Sequence, residues 1–163
     1  FRRNMRRLRI QVASIIDAPP THVYAVLADY RSGHPQIVPP KYFRNLEVEE
    51  GGVGAGTRLK AELHLFGSKR VFRQLVSEPE PGRVLMETND DGAAVTTFTV
   101  DPAAGGRSTH LTIATDFTVQ SSGLRAAIES RMISLIFPRI YRAELETIRD
   151  YFKAGEKKYV QGQ

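Results

Sequence analysis

Residues 15–30 read IIDAPPTHVYAVLADY and combine the end of a strand with a short helix. The strand extends back to residue 8, because apolar side chains alternate there as they do in a strand with one buried face. Pro19 and Pro20 are tolerated only around the first turn of a helix, and the apolar residues that follow have helical spacing. The segment predicts a strand that leads directly into a helix ending near Asp29.

The rest of the chain predicts an antiparallel sheet followed by one long helix. Residues 30–40 contain several prolines and leave room for at most one helical turn. Residues 42–120 alternate with period two between turn clusters, and residues 124–152 carry apolar residues at helical spacing. We therefore expect an α+β fold, with Pro138 as a kink in the last helix.

The composition is that of one globular domain covering residues 1–163. The chain is 41% hydrophobic and 25% charged, and it has no cysteine, which excludes disulfides and thiolate chemistry. No apolar stretch approaches the roughly 20 residues of a membrane span, so we expect a cytoplasmic protein.

The net charge of +5 comes mainly from the two ends. We interpret residues 1–7 as a solvated basic arm and residues 156–163 as a tail, and we expect no nucleic-acid binding because aromatic residues are not interleaved with the basic ones. Transient contact with an anionic membrane is a further possibility. The basic residues concerned are Arg2, Arg3, Arg6, Arg7, Lys153, Lys157 and Lys158.

The first hairpin separates the inside of the sheet from the outside. A two-residue turn at 67–68 places Glu62 opposite Arg73, and together with His64 these side chains fall on the polar face. We therefore assign them to solvent and not to an active site. The opposite face is apolar and holds Leu59, Ala61, Leu63, Leu65, Phe72, Gln74 and Val76.

The second hairpin leaves the position of Glu87 open. A turn at 91–92 pairs Leu85 with Phe98 and Glu87 with Thr96, so an inward Phe98 brings the carboxylate inside as well. The alternative keeps Glu87 in water, since an unpaired buried carboxylate is costly. That alternative turns the other parity inward, namely Val84, Met86, Thr88, Val95 and Thr97.

The opening segment resembles the START-like (SRPBCC) superfamily, particularly its polyketide cyclase/dehydrase and coenzyme Q-binding branches. Further matches lie at residues 56–58, 83–85, 98–100 and 137–141. The resemblance implies a helix-grip fold, in which a curved antiparallel sheet of about seven strands wraps a long C-terminal helix. It also implies two short helices after the first strand and an internal cavity that binds lipids, quinones or polyketides.

The predicted ligand site combines this resemblance with strand parity and helix spacing. Gln74 and Thr115 are expected to orient a polar group, while Tyr30 and Tyr42 suit the rim. His34 is either a ligand contact or a surface loop residue. The apolar lining is predicted to be Leu59, Leu63, Phe72, Phe98, Ile113, Ile128, Met132 and Ile136.

The mostly apolar lining favours binding of a small apolar molecule over catalysis. A polyketide cyclase or dehydratase is the alternative, with Glu87 or His34 as the group that moves a proton. A membrane-associated quinone carrier is a third possibility. The four histidines lie far apart in sequence without ligand spacing, so no metal is expected, and no cofactor is implied.

Overall fold

The computed structural model describes residues 5–160, with side chains described to residue 155. Seven strands and two α-helices follow in the order β1, α1, β2 to β7, α2, with single 3-10 turns at His34–Gln36 and Ala104–Gly106. Their bounds are β1 Arg6–Ile16, α1 Pro20–Ala28, β2 Phe43–Glu50, β3 Arg58–Leu65, β4 Ser68–Glu80, β5 Val84–Asn89, β6 Ala94–Ala103, β7 Ser108–Val119 and α2 Gly123–Val160.

The strands form one antiparallel sheet in the order β1-β7-β6-β5-β4-β3-β2. The first and last strands are neighbours, and α2 lies closest to β1 and β7. This is the predicted α+β helix-grip fold, with α1 and one 3-10 turn as the two short helical segments. No helix among residues 5–160 is long and apolar enough to cross a membrane.

Both ends are more regular than the sequence predicted. β1 begins at Arg6, so two residues of the predicted basic arm belong to the sheet. α2 continues to Val160, into the predicted tail. Arg2, Arg3 and the side chains of Lys157 and Lys158 lie outside the described part of the chain.

The β3–β4 pairing corrects the predicted partners but not the predicted faces. Glu62 lies opposite Val71, and Lys60 lies opposite Arg73, two residues from the expected register. The reason is that the turn is at Phe66-Gly67, where both residues have positive φ, and not at residues 67–68. A shift by two keeps side chains on their faces. Arg73 accordingly pairs with Glu49 at 3.0 Å instead of with Glu62.

The β5–β6 pairing decides the question about Glu87. Leu85 lies opposite Phe98 and Glu87 lies opposite Thr96, as the turn at residues 91–92 predicted. Phe98 is buried in the core, and Glu87 is therefore buried beside it. The alternative assignment, with the other parity of β5 and β6 inside, is wrong.

The first half of α2 corrects the predicted helix face. Ile128 and Met132 were expected to face the sheet, but they are 52% and 46% exposed, whereas Ile140 is fully buried. A four-residue spacing advances about 40° per step around a 3.6-residue helix. A ridge that faces the core at Ile140 has therefore rotated toward solvent at Met132 and Ile128.

The Phe66 backbone provides a test of the corrected turn. Phe66 has φ near 50° and an 80% exposed side chain, and Asn accepts this left-handed conformation more readily than Phe. Phe66→Asn should raise the free energy of unfolding by up to about 1 kcal/mol in urea denaturation. Phe66→Ala, which keeps the backbone cost, should give little gain, and equal stabilisation by both variants would contradict this turn assignment.

Candidate functional site

A row of polar side chains crosses the inner face of the sheet at its centre. The row consists of Glu87 on β5, Thr96 on β6 and Thr115 on β7, which are directly opposite one another in register. All three are buried. The next row, formed by Leu85, Phe98, Ile113 and Val12, is apolar. Strand pairing therefore creates one polar band within an apolar interior.

The connection after α1 is tied to this band through Tyr30. Its hydroxyl donates a hydrogen bond of 2.7 Å to Glu87 Oε1, and its backbone N–H donates to the Gly52 carbonyl at 2.9 Å. Burial, together with the charge of Glu87, raises the Tyr30 pKa well above its ordinary value. Tyr30 thus stays protonated and keeps donating. It lies in the interior and not at the predicted rim.

His34 is a buried residue of the same cluster, 3% exposed. Its Nδ1 lies 2.7 Å from the Leu27 carbonyl, which can only accept, so Nδ1 carries a hydrogen. Its Nε2 lies 3.6 Å from Glu87 Oε1, and its ring stacks on Tyr30 with centroids 4.4 Å apart. The structure therefore rejects the surface-loop interpretation of His34 and places it beside the buried carboxylate.

A chain of hydroxyl groups continues the band toward α2. Thr96 Oγ1 lies 2.8 Å from Thr115 Oγ1, which lies 2.6 Å from the Tyr141 hydroxyl. Burial raises the Tyr141 pKa, so this hydroxyl also stays protonated. Thr115, predicted to orient a polar group, is therefore part of a hydrogen-bonded chain that joins sheet and helix.

Glu144 is a second buried carboxyl group, one helical turn beyond Tyr141 on α2. Its residue is 4% exposed, and it has no hydrogen bond to another described residue. Desolvation and the charge of Glu87 raise its pKa to about 8. Glu144 is therefore predominantly protonated at neutral pH and has an O–H group without a described acceptor.

The predicted apolar lining divides into three groups. Leu59, Phe98 and Ile113 are fully buried around the polar band. Leu63 and Ile136 are partly buried and pack against the core, as does Tyr42, which was predicted at the rim. Phe72 is partly buried beside Phe43. Ile128 and Met132 face away from the sheet and do not join the site. Gln74 on β4 is buried, and its side-chain amide donates a hydrogen bond of 2.9 Å to Asn89 Oδ1. Asn89 lies on β5, two residues after Glu87.

Two of the partly buried side chains, Leu63 and Phe72, lie beside Phe43 in the part of the sheet formed by β2, β3 and β4. Phe43 pairs with Leu63 across β2 and β3, and the Phe43 and Phe72 rings meet edge to face with centroids 6.3 Å apart. Together with Leu65, these side chains form what we call the apolar rim. They lie on the inner face of the sheet, yet they are more exposed than Leu59 or Val76.

Two functional residues were missed at the sequence level, Tyr141 and Glu144. Tyr141 lies among the helically spaced apolar residues of 124–152, and its hydroxyl partner Thr115 is on a strand remote in sequence. Glu144 follows Ile140 by four residues and Tyr141 by three, so it shares the face of α2 that packs on the sheet. The sequence signal that could have found Glu144 is its helical spacing from Ile140 and Tyr141, which places its carboxyl group on the buried face.

One surface cleft of about 250 Å³ is lined mainly by charged side chains of β2 to β4, including Glu49, Arg58 and Arg73. Leu59 and Gln74 of the predicted site also reach this cleft. Within residues 5–155 no group of three or more His, Asp or Glu side chains is placed to hold a metal ion.

Comparisons with solved structures find the same fold in several proteins. The KanY protein is 25% identical, with a TM-score of 0.73, covering 91% of this chain and 99% of its own. A protein from Thermus thermophilus is 17% identical with a TM-score of 0.74, covering 91% and 99%. An aromatase/cyclase from a Streptomyces species is 19% identical with a TM-score of 0.70, covering 90% and 93%. No curated protein sequence matches at a significant level.

The helix-grip sheet and the long closing helix define a START-like fold. The sequence over residues 7–153 matches the family model described as polyketide cyclase / dehydrase and lipid transport. The chain belongs to this family.

The raised Glu144 pKa predicts how stability depends on pH. Its folded pKa of about 8 exceeds the ordinary 4.5, so its protonated form stabilises the fold at low pH. This contribution is lost as pH rises through 8. The free energy of unfolding should fall by on the order of 1–3 kcal/mol more in the wild type than in Glu144→Gln between about pH 5 and pH 8.5.

Urea denaturation at several pH values measures this difference. Glu87, Tyr30 and Tyr141 interact electrostatically with Glu144 and are present in both proteins, so the comparison isolates the carboxyl group of residue 144. Glu146→Gln, an exposed change on the same helix, serves as the control and should leave the wild-type pH dependence intact. Parallel pH profiles for wild type and Glu144→Gln would contradict the assignment.

Proposed function

We propose that this protein binds a small apolar molecule, such as a lipid, quinone or polyketide, between the sheet and α2. The observation that carries the proposal is the polar band of Glu87, Thr96 and Thr115, which is buried, borders the apolar row of Leu85, Phe98 and Ile113, and faces Tyr141 and Glu144. A fold that needed only a stable core would gain little from two buried carboxyl groups, because their desolvation is costly.

The chemistry of the band suits a molecule with one polar end. Glu144 has a proton without a described acceptor, so it can donate to a carbonyl or hydroxyl oxygen. Glu87 accepts from Tyr30 and has further lone pairs for a ligand hydroxyl. The apolar rim offers a route for the apolar remainder, since its side chains are inward yet partly open to solvent. A quinone or poly-β-keto compound has this combination of groups.

Native mass spectrometry of the protein freshly purified from its host tests the proposal directly. The expected result is a second species, heavier than the chain by the mass of one small molecule, that disappears on denaturation. Organic extraction and mass analysis then identify the compound. A uniformly unliganded protein that also fails to bind a panel of lipids, quinones and polyketides would contradict the proposal.

Filling the apolar rim should block entry. Leu63→Trp adds volume on the inner face of β3, so the affinity for an apolar fluorescent probe such as anilinonaphthalene sulfonate should fall about tenfold or more. Val71→Trp is the matched control, because Val71 is exposed on the outer face of the neighbouring strand. Fluorescence titration measures both, and circular dichroism checks that each variant is folded. Equal affinity of Leu63→Trp and wild type would count against the rim as the entrance.

A polyketide cyclase or dehydratase is the second candidate. It is favoured by the two buried carboxyl groups, one hydrogen-bonded as an acceptor to Tyr30 and the other held protonated by its surroundings. Such a pair supplies a base and an acid within one site. The family description and the fold shared with an aromatase/cyclase support this candidate.

Glu87→Gln separates binding from catalysis. The amide oxygen can still accept from Tyr30, but it cannot take up a proton, so turnover of a poly-β-keto thioester should drop by a factor of 100 or more, on the order expected for loss of a general base. Binding should change much less. Glu78→Gln is the matched control, because Glu78 also accepts a tyrosine hydroxyl at 2.7 Å, from Tyr24 at the edge of the fold. Undiminished turnover in Glu87→Gln would eliminate Glu87 as the base.

We further propose a cytoplasmic location, with transient contact to anionic membranes through the basic termini. The support is the exposure of Arg6, Arg7 and Lys153 together with the charge of the neighbouring sequence. Coenzyme Q is one quinone compatible with the proposed site. Fractionation of the host cells tests the location.

A further inference from the structure

An apolar stripe runs along the outer face of the first half of α2. Four large side chains are spaced at i, i+4, i+8 and i+11, so they lie in one row about 16 Å long. Their exposed fractions are 78% for Leu124, 52% for Ile128, 46% for Met132 and 55% for Leu135. The opposite face of the same segment carries the buried Ala126 and Ser130. The stripe is therefore not the core face of this segment.

Arginines border this stripe. Residues 123–142 contain four arginines and one glutamate, a net charge of +3. Arg125 Nε forms an ion pair of 3.3 Å with Glu129 Oε1, and the Ser121 hydroxyl donates a hydrogen bond to Glu129 Oε2. Arg131, Arg139 and Arg142 are exposed and have no ion pair with any residue of the described chain. The surface thus combines apolar side chains with uncompensated positive charge.

The start of β1 lies near the beginning of α2. Arg6 pairs with Val119 at the end of β7, only a few residues before α2 begins. Met5 is 52% exposed, and Arg6 and Arg7 are exposed as well. Apolar and basic side chains from two separate segments of the chain therefore occur together at this end of the molecule.

We propose that the outer face of α2, from Leu124 to Arg142, docks on an anionic phospholipid bilayer. A helix with an apolar row and flanking arginines lies in the membrane interface with its apolar side among the acyl chains and its charges at the lipid phosphates. This inference concerns a different surface from the proposed ligand site and does not require the termini to bind.

A second copy of the chain fits this surface less well. A two-fold axis through the middle of the stripe would bring Arg131 of one copy close to Arg131 of the other, and like charges in contact oppose association. One row of four side chains is also small against the roughly 20–30 residues that each partner contributes to a standard interface. The uncompensated charge instead matches a surface rich in phosphate.

Vesicle co-sedimentation tests the proposal with the full chain. Binding is expected to vesicles of phosphatidylcholine mixed with phosphatidylserine, to be weak with phosphatidylcholine alone, and to decrease as salt is raised. The stripe variant Ile128→Ser/Met132→Ser/Leu135→Ser should bind at least about tenfold more weakly. Val53→Ser/Val71→Ser removes exposed apolar side chains elsewhere and should bind like wild type.

A second pair of variants isolates the charge. Arg131→Gln/Arg142→Gln should lower the affinity by about tenfold or more, whereas Arg44→Gln/Arg107→Gln removes the same charge from exposed positions on β2 and the loop before β7 and should have a smaller effect. All substituted side chains are exposed or outward-facing, so the variants should keep the wild-type circular dichroism and melting temperature.

Each result of the vesicle-binding experiments either supports or overturns the proposal. Absence of binding to anionic vesicles, or equal binding by the stripe variant and wild type, overturns the proposal. Sedimentation velocity that shows a wild-type dimer, lost in the stripe variant, overturns it in favour of a second copy as the occupant. Loss of vesicle binding in the two α2 variants alone supports it. Because ligand occupancy is not measured, these results are independent of the proposed binding of a small apolar molecule.

Discussion

A carboxylate inside an apolar core has to be compensated, and in this protein the Tyr30 hydroxyl compensates Glu87. The bond joins the connection after α1 to the central strand β5. Tyr30 in turn holds His34 by stacking, and its backbone N–H is bonded to the loop before β3. The end of α1, the 3-10 turn and the middle of the sheet are therefore positioned by one buried polar contact, and the proposed site is built around it.

The second buried carboxyl group, that of Glu144, has different surroundings. Glu144 has no described hydrogen-bond partner, and both desolvation and the nearby charge of Glu87 favour its protonated form. The two buried carboxyl groups therefore differ in their contacts, because Glu87 accepts a hydrogen bond from Tyr30 and Glu144 has no described partner. This asymmetry allows the same site to donate to one ligand atom and accept from another. The binding proposal and the proton-transfer proposal therefore use the same two carboxyl groups, Glu87 and Glu144.

The helix α2 presents apolar side chains to the core in its second half and to the outside in its first half. From Ile140 to Ile148 its inward side chains complete the core, with Tyr141 bonded to the sheet. From Leu124 to Leu135 its large apolar residues lie on the outside instead. A single helix can do this because a four-residue repeat drifts relative to the 3.6-residue turn. The outward residues left by this drift form the surface proposed to meet a membrane.

The sequence alone determined the fold class and which face of the first hairpin is polar and outside, because period two and helical spacing are local properties. It also identified Glu87 and Thr115 as inward candidates. Only the tertiary structure decided that Glu87 is inside, that His34 is buried against it, and that Glu144 joins them, because these contacts link residues separated by 50 or more positions or depend on burial. It likewise decided which face of α2 meets the sheet, since a drifting apolar ridge has no unique inner side until a partner surface is present.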